Sequence, residues 1–251
     1  MRWVLLAAAA LSLSSLSGGQ VAPVSRPVPV VVELFTSEGC SSCPPADSLL
    51  AKLANEQSVP GVEVVTLGMH VTYWDRLGWK DPASLDLATA RQQSYSRVFG
   101  EDRVYTPQAV VDGQEELVGS DQSGVLRAIE KAGKRPHARL AMTAVLDGAA
   151  LDARVTIAEL PPDVKERLDV KLVLTEGRLT SIVKRGENSG RTLQHEAVVR
   201  AVLDARVVAD QPITFRVKLR PEWRADRMRA VAVLQGTRTL RIWGAATTPL
   251  G

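Results

Sequence analysis

The chain has 251 residues, is 45% hydrophobic, and carries a formal net charge of +3 from 31 basic and 28 acidic side chains. That length allows one large or two small domains with ample material for a packed core. The near balance of charge, without a basic run interleaved by aromatics, argues against a nucleic-acid partner.

Met1 and Arg2 supply a positive charge, Trp3 to Leu13 is almost wholly apolar, and the small residues Ser14, Ser15, Ser17, Gly18 and Gly19 follow. This order reads as a secretory signal peptide over residues 1–19. The apolar run is shorter than the roughly 20 residues a membrane span needs, and no later run approaches that length. The mature chain is therefore expected to be exported, with a bacterial periplasm as its compartment and no membrane span.

Val30, Val31, Val32, Leu34 and Phe35 form a short apolar run, as in a strand buried on both faces. Ala46, Leu49, Leu50 and Leu53 then repeat at helical spacing, Val62 to Leu67 reads as a second strand, and Leu85 to Phe99 as a second helix. Ala109 to Val111 and Leu117-Val118 flank Asp112-Gly113, a hairpin signature. Val125, Leu126, Ile129 and Ala132 make a last helical face, with Ser120 or Asp121 as N-cap and Gly133 as its stop. Lys134-Arg135-Pro136-His137 breaks the pattern and reads as a linker. Beyond it, period-two alternation dominates, as in Leu151, Ala153, Val155, Ile157 and in Ile213, Phe215, Val217, Leu219, with turn signals at Asp147-Gly148 and Gly236-Thr237. Short strands at such spacing suggest a β-sandwich. The expected architecture is an α/β unit over residues 28–135 followed by a smaller all-β, sandwich-like unit over 138–251.

The chain's only two cysteines, Cys40 and Cys43, lie where the first strand gives way to the first helix. Exported proteins often carry stabilising disulfides, but stabilisation grows with the loop closed, and a bridge three residues long restrains little. Chemistry is the better use. Backbone N–H groups at a helix N-terminus favour a thiolate, and Pro44 and Pro45 suit a first helical turn. Cys40 is expected to be the more exposed thiol and the nucleophile, with Cys43 resolving the mixed disulfide.

A strand, then Cys-x-x-Cys opening a helix, then Thr106-Pro107 before a hairpin resembles the thioredoxin fold. The resemblance implies a cis Pro107 facing the cysteines, guiding a substrate backbone at an edge left without a donor. Glu33 to Asp47 (ELFTSEGCSSCPPAD), His70 to Asp75 (HVTYWD), Gly78 to Asp81, Arg91-Gln92 and Tyr105 to Gly113 (YTPQAVVDG) are similar to a secreted thioredoxin-like family known as domain of unknown function twelve-twenty-three. Gly186-Glu187-Asn188, His195 and Val198 to Arg200 extend the likeness into the second half. It implies a thioredoxin-like first domain, with an insertion near 70–100, and export, but no established reaction. The chain lacks the Trp-Cys-Gly-Pro-Cys surround of thioredoxin itself, so no direction of electron flow is implied.

His70, Tyr73, Trp74, Asp75, Trp79 and Asp81 crowd the insertion just after the second strand. In parallel α/β sheets the C-terminal strand ends line the site. His70 or Asp75 is then a candidate for tuning the thiolate or for proton transfer, and Trp74 and Trp79 for a partner surface; the plainer reading is a loop core with Asp75 or Asp81 as a helix cap. Glu33 is a candidate buried proton acceptor, or a surface residue at an edge. His195, with Arg200, reads as part of a strand rather than as a ligand.

Three functions follow. The first is thiol–disulfide exchange at Cys40 and Cys43 with protein thiols or disulfides and a redox partner, without a cofactor. The second is a soft-metal site formed by Cys40, Cys43 and His70, though zinc usually takes four ligands and copper(I) fits two thiolates better. The third is a non-catalytic binding module carried by the β half. No sequence feature fixes the oligomeric state.

Overall fold

The computed structural model describes residues 26–209 and 211–251, so the signal-peptide reading lies outside the described residues. In chain order the elements are β1 (Val28–Thr36), α1 (Pro44–Glu56), β2 (Val62–His70), α2 (Asp86–Phe99), β3 (Gln108–Val111), β4 (Glu115–Val118), α3 (Gln122–Gly133), β5 (Arg139–Asp147), β6 (Ala150–Glu159), β7 (Leu168–Glu176), β8 (Leu179–Ile182), β9 (Thr192–His195), β10 (Val198–Arg206), β11 (Ile213–Lys218), β12 (Met228–Gly236) and β13 (Ile242–Pro249). The protein is a mixed α/β structure built on one eight-stranded sheet of order β13-β12-β7-β10-β2-β1-β3-β4, with a three-stranded sheet β11-β6-β5 and a separate pair β8-β9.

β1 and β2 run parallel, from Val28 opposite Val62 to Thr36 opposite His70, and β3 adds to β1 antiparallel. Successive side chains on a strand point to opposite faces. Val30, Val32 and Leu34 thus meet α1 and α3 through Leu49, Leu50, Leu53, Val125 and Ile129. Val31 and Phe35 meet Ala88 and Tyr95 of α2 on the other face. Burying both faces is why this strand reads as an unbroken apolar run. Between β3 and β4, Asp112 and Gly113 both take positive φ, and the Gln114 amide closes the turn on the Val111 carbonyl at 3.0 Å. A Cβ at Gly113 would also collide with the Leu240 carbonyl.

An α/β part followed by a β part is what the structure shows, and the two share a sheet. β10 lies parallel beside β2, with Val198 opposite Gly68 and the Gly68 amide donating to the Ala197 carbonyl at 2.8 Å. A Cβ at Gly68 would sit 3.3 Å from the carbonyls of both Glu196 and Ala197, so a glycine lets the strands meet. Four strands of the second half thereby extend the first half's sheet. The physical reason is shared burial: Val173, Val231, Val233 and Ile242 pack into the same cluster as Val31, Phe35, Val65 and Leu67. β5, β6 and β11 form the second layer over this extension, burying Leu151, Val155 and Phe215 against Leu172, Leu174, Leu234 and Trp243.

β10 leaves β2 after that single pairing, and a cleft of about 690 Å³ opens along β2, lined by Pro27, Glu63, Thr66, Arg178, Met228 and Thr247 among others. The Gln57 carboxamide blocks this edge, accepting from the Val64 amide at 2.8 Å and donating to its carbonyl at 3.1 Å. No helix among the described residues is long and apolar enough to cross a membrane.

Candidate functional site

β1 ends at Thr36, and Ser37 to Gly39 turn the chain toward α1. The Cys40 amide closes the turn on the Ser37 carbonyl at 3.2 Å, and the Gly39 amide donates to Ser37 Oγ at 3.1 Å. Cys43 is the N-cap of α1, its carbonyl accepting from the amides of Ala46 and Asp47, and Pro44 opens the first turn. Proline costs nothing there, because first-turn N–H groups have no helical partner. Cys40 and Cys43 form a disulfide.

Both cysteines are fully buried, at 0% exposure, so the expectation of an exposed Cys40 is corrected. The loop turns its two serines outward and its two sulfurs inward. What covers it comes from the other half of the chain. Asn188, itself 0% exposed, donates to the carbonyls of Glu38 at 2.9 Å and Cys40 at 2.8 Å. Glu187 accepts from the Ser41 amide at 3.0 Å and the Ser41 hydroxyl at 2.7 Å, and these two bonds hold its carboxyl below the usual range.

Behind the loop lies a buried polar cluster. His70 Nδ1 is 2.7 Å from Asp81 Oδ2, and Asp81 also accepts from the amides of Glu38 and Ala83. Burial pushes Asp81 up, but the His70 charge and these hydrogen bonds outweigh it and hold the carboxyl down to about 2. Burial likewise pulls His70 down, and the Asp81 charge reverses this, leaving the imidazole above its ordinary value. Asp47, one turn beyond Cys43 and so on its side of the helix, is raised by burial, with His195 and His70 only partly offsetting it. Glu38 accepts from Trp79 Nε1 at 2.7 Å and from Ser181 Oγ at 3.0 Å. His195 stands edge-on to His70 with ring centroids 4.8 Å apart. Its Nε2 lies 3.3 Å from Glu38 Oε1 but out of hydrogen-bonding alignment, and neither ring nitrogen has a partner among the described residues.

The other sequence candidates fall in three places. Trp74 Nε1 donates to Thr106 Oγ1 at 2.8 Å, and a Cβ at Gly39 would lie 3.2 Å from Trp74 Cβ, so Trp74 joins the Thr106-Pro107 loop to the cysteine loop. The Thr106–Pro107 peptide is cis. Pro107 is buried, and its carbonyl is already taken by the Gly119 amide at 2.8 Å, so it does not stand at an open edge. Asp75 braces its own loop, accepting from the Asp81 amide and Ser84 Oγ. Glu33 faces away from the cysteines, paired with Arg91 and hydrogen-bonded to Tyr95; it clamps α2 to the sheet and is no proton acceptor for a thiol. Arg200 pairs with Glu176 at 2.8 Å, apart from His195. Among the described residues no three His, Cys, Asp or Glu side chains group as a metal site would, and His70 Nδ1 is engaged by Asp81.

Glu38, Asp47, His195, Glu187 and Asn188 are the site residues that sequence reasoning did not assign. All fall within or beside stretches that carry the resemblance, but sequence alone gave the distant ones no address.

Protein of unknown function (DUF1223) is the description of the family that matches residues 31–235. The chain belongs to the DUF1223 family. The DUF1223 chain is similar over 90% of its length to an X-ray structure of a protein from Agrobacterium tumefaciens, at 27% identity and a TM-score of 0.68, covering 96% of that protein. It is also similar in fold to HBP35 of Porphyromonas gingivalis, at 16% identity and a TM-score of 0.59, over 90% of this chain and 76% of that one. No curated protein matches the DUF1223 chain significantly.

Proposed function

We propose that the protein is an exported, thioredoxin-like thiol–disulfide exchange protein whose redox-active pair is Cys40–Cys43. The observation that carries the reading is a disulfide of sequence separation 3 at the N-terminus of α1, backed by buried Asp47 one turn further on. A ring so small removes little entropy from the unfolded chain, so the bridge adds little stability, whereas its place at a helix N-terminus favours a thiolate once it opens. The order β1–cysteines–α1–β2–α2–β3–β4–α3 supports the thioredoxin-like assignment, and the amino-terminal pattern supports export.

In the proposed reaction Cys40 exchanges with the partner and Cys43 resolves. Burial raises the Asp47 carboxyl above its ordinary value, with the charges of His195 and His70 partly offsetting this, and Asp47 is the acid–base group on the Cys43 side of the helix. Electrons pass between sulfur atoms, and no cofactor is required.

The test is trapping. Cys43→Ser leaves Cys40 without its resolving partner and is expected to accumulate a mixed disulfide with a reduced peptide thiol after addition of an oxidant such as diamide, seen as an adduct by mass spectrometry. Cys40→Ser is expected to give little adduct. Equal and slow modification of both variants contradicts the reading.

A further inference from the structure

Among the described residues β8 and β9 pair only with each other, from Leu179 opposite His195 to Ile182 opposite Thr192. A two-stranded hairpin standing alone is marginally stable, so this one is held by what it touches. The segment between them, residues 183–191, crosses the cysteine loop. Glu187 takes the Ser41 amide and hydroxyl, and Asn188 takes the carbonyls of Glu38 and Cys40. Arg191 Nη1 steadies Asn188 by donating to its Oδ1 at 2.8 Å. Gly186 lies against the same loop, where a Cβ would stand 3.8 Å from Gly39 Cα and 3.6 Å from Trp79 Cβ. Beneath this segment neither cysteine is accessible, and attack on a disulfide needs access to a sulfur.

We propose that residues 183–191 are a lid on the Cys40–Cys43 disulfide, and that Glu187 and Asn188 are positioning residues that latch it. The proposal rests on the thiol-exchange reading and adds its regulation and substrate class. The contacts to be replaced are an N–H donor to the Cys40 carbonyl and an oxygen acceptor for the Ser41 amide. A polypeptide backbone offers both, so the fitting partner is a polypeptide dithiol. Its first thiolate attacks Cys40 Sγ, the Cys40–Cys43 bond breaks, and Cys43 leaves as a thiolate that takes up a proton. Its second thiolate then attacks the partner sulfur of the mixed disulfide and releases Cys40, which is protonated in turn. Two electrons and two protons pass to the pair, and the partner becomes a disulfide. Glu187 also places a carboxylate beside the loop that opposes ionisation of Cys40 after reduction.

The experiment compares the full chain with Glu187→Gln and Asn188→Ala. One arm follows opening of the disulfide by dithiothreitol, quenched by alkylation and read by mass. The other follows the pH dependence of iodoacetamide labelling of Cys40 in the reduced proteins. Glu38, Asp47, His70, Asp81 and His195 behind the pair, and Lys184, Arg185 and Arg191 in the lid, stay unchanged. Losing a charge-assisted bond to Ser41 is expected to speed opening roughly three- to tenfold in Glu187→Gln, and to move its labelling midpoint to lower pH. Asn188→Ala is expected to open faster still. Asn188 is buried and its variant risks misfolding, whereas Glu187 is exposed, so Glu187→Gln decides. If the wild type opens and Glu187→Gln matches it in both rate and labelling profile, the lid is wrong while thiol exchange stands. Variants that open where the wild type does not support the lid. If neither the wild type nor either folded variant opens, both the thiol-exchange reading and the lid are overturned.

Discussion

Asp81 is the residue on which the buried cluster turns. It binds His70 and caps the Glu38 amide, so it joins the end of β2 to the turn that carries Cys40. Its carboxyl is held down to about 2 from an ordinary 3.8, so its stabilising contribution is full above the higher value and is lost as pH falls through the lower. His70 is raised above 6.5, so its contribution is full below that value and is lost as pH rises through the raised one. Asp81→Asn breaks a buried pair and is expected to cost about 3–5 kcal/mol near pH 5, where both contributions are present. The difference from the wild type shrinks toward alkaline pH. Guanidinium unfolding at pH 5 and pH 9 measures this; an equal cost at both contradicts the ion pair. The sequence placed His70 and Asp81 in one crowded segment but could not pair them, because the ten residues between them, with a 3-10 turn at Asp75–Leu77, set their approach. Glu33 shows the opposite limit. Its position on a buried strand was legible, but which face it took depended on Arg91 and Tyr95, more than 50 residues away.

At the scale of elements, most of the first half was legible because its signals are local. Helical spacing, the Asp112-Gly113 turn and the Asp121 cap, which accepts from the Gly124 amide, each act within a few residues. What local pattern cannot carry is how an edge is closed. Gln57 ends α1 in a left-handed conformation and uses its carboxamide to satisfy Val64 on the exposed side of β2. An unpaired edge invites pairing with another chain. Gln57→Ala leaves the Val64 amide and carbonyl without their partner and is expected to cost about 1–3 kcal/mol, read as a lower urea midpoint with an unchanged slope. A midpoint within experimental error of the wild type contradicts a structural role for this cap.

For the whole molecule, the decisive feature is the continuity between the two halves. One sheet runs through both, and the second half returns a hairpin across the cysteines from about 150 positions further along the chain. Alternation in the second half announced strands correctly, but it said nothing about which sheet they would join, since period two fixes a strand's faces and not its neighbours. The same limit hid the lid: Gly186-Glu187-Asn188 was visible as a motif, while its target was a matter of tertiary packing. The second half thus has a physical reason to be present, because it completes the sheet and covers the cysteine loop of the first.

The central claim is that Cys40–Cys43 is a redox couple and not a fixed cross-link, and its reduction potential tests this most directly. The purified chain is equilibrated in glutathione and dithiothreitol buffers of graded potential, quenched by alkylation, and its thiols counted by mass. The account predicts a reversible two-electron transition with a midpoint between about −120 and −270 mV, the span of known exchange proteins. A pair that stays closed below about −300 mV, as structural disulfides do, would contradict it.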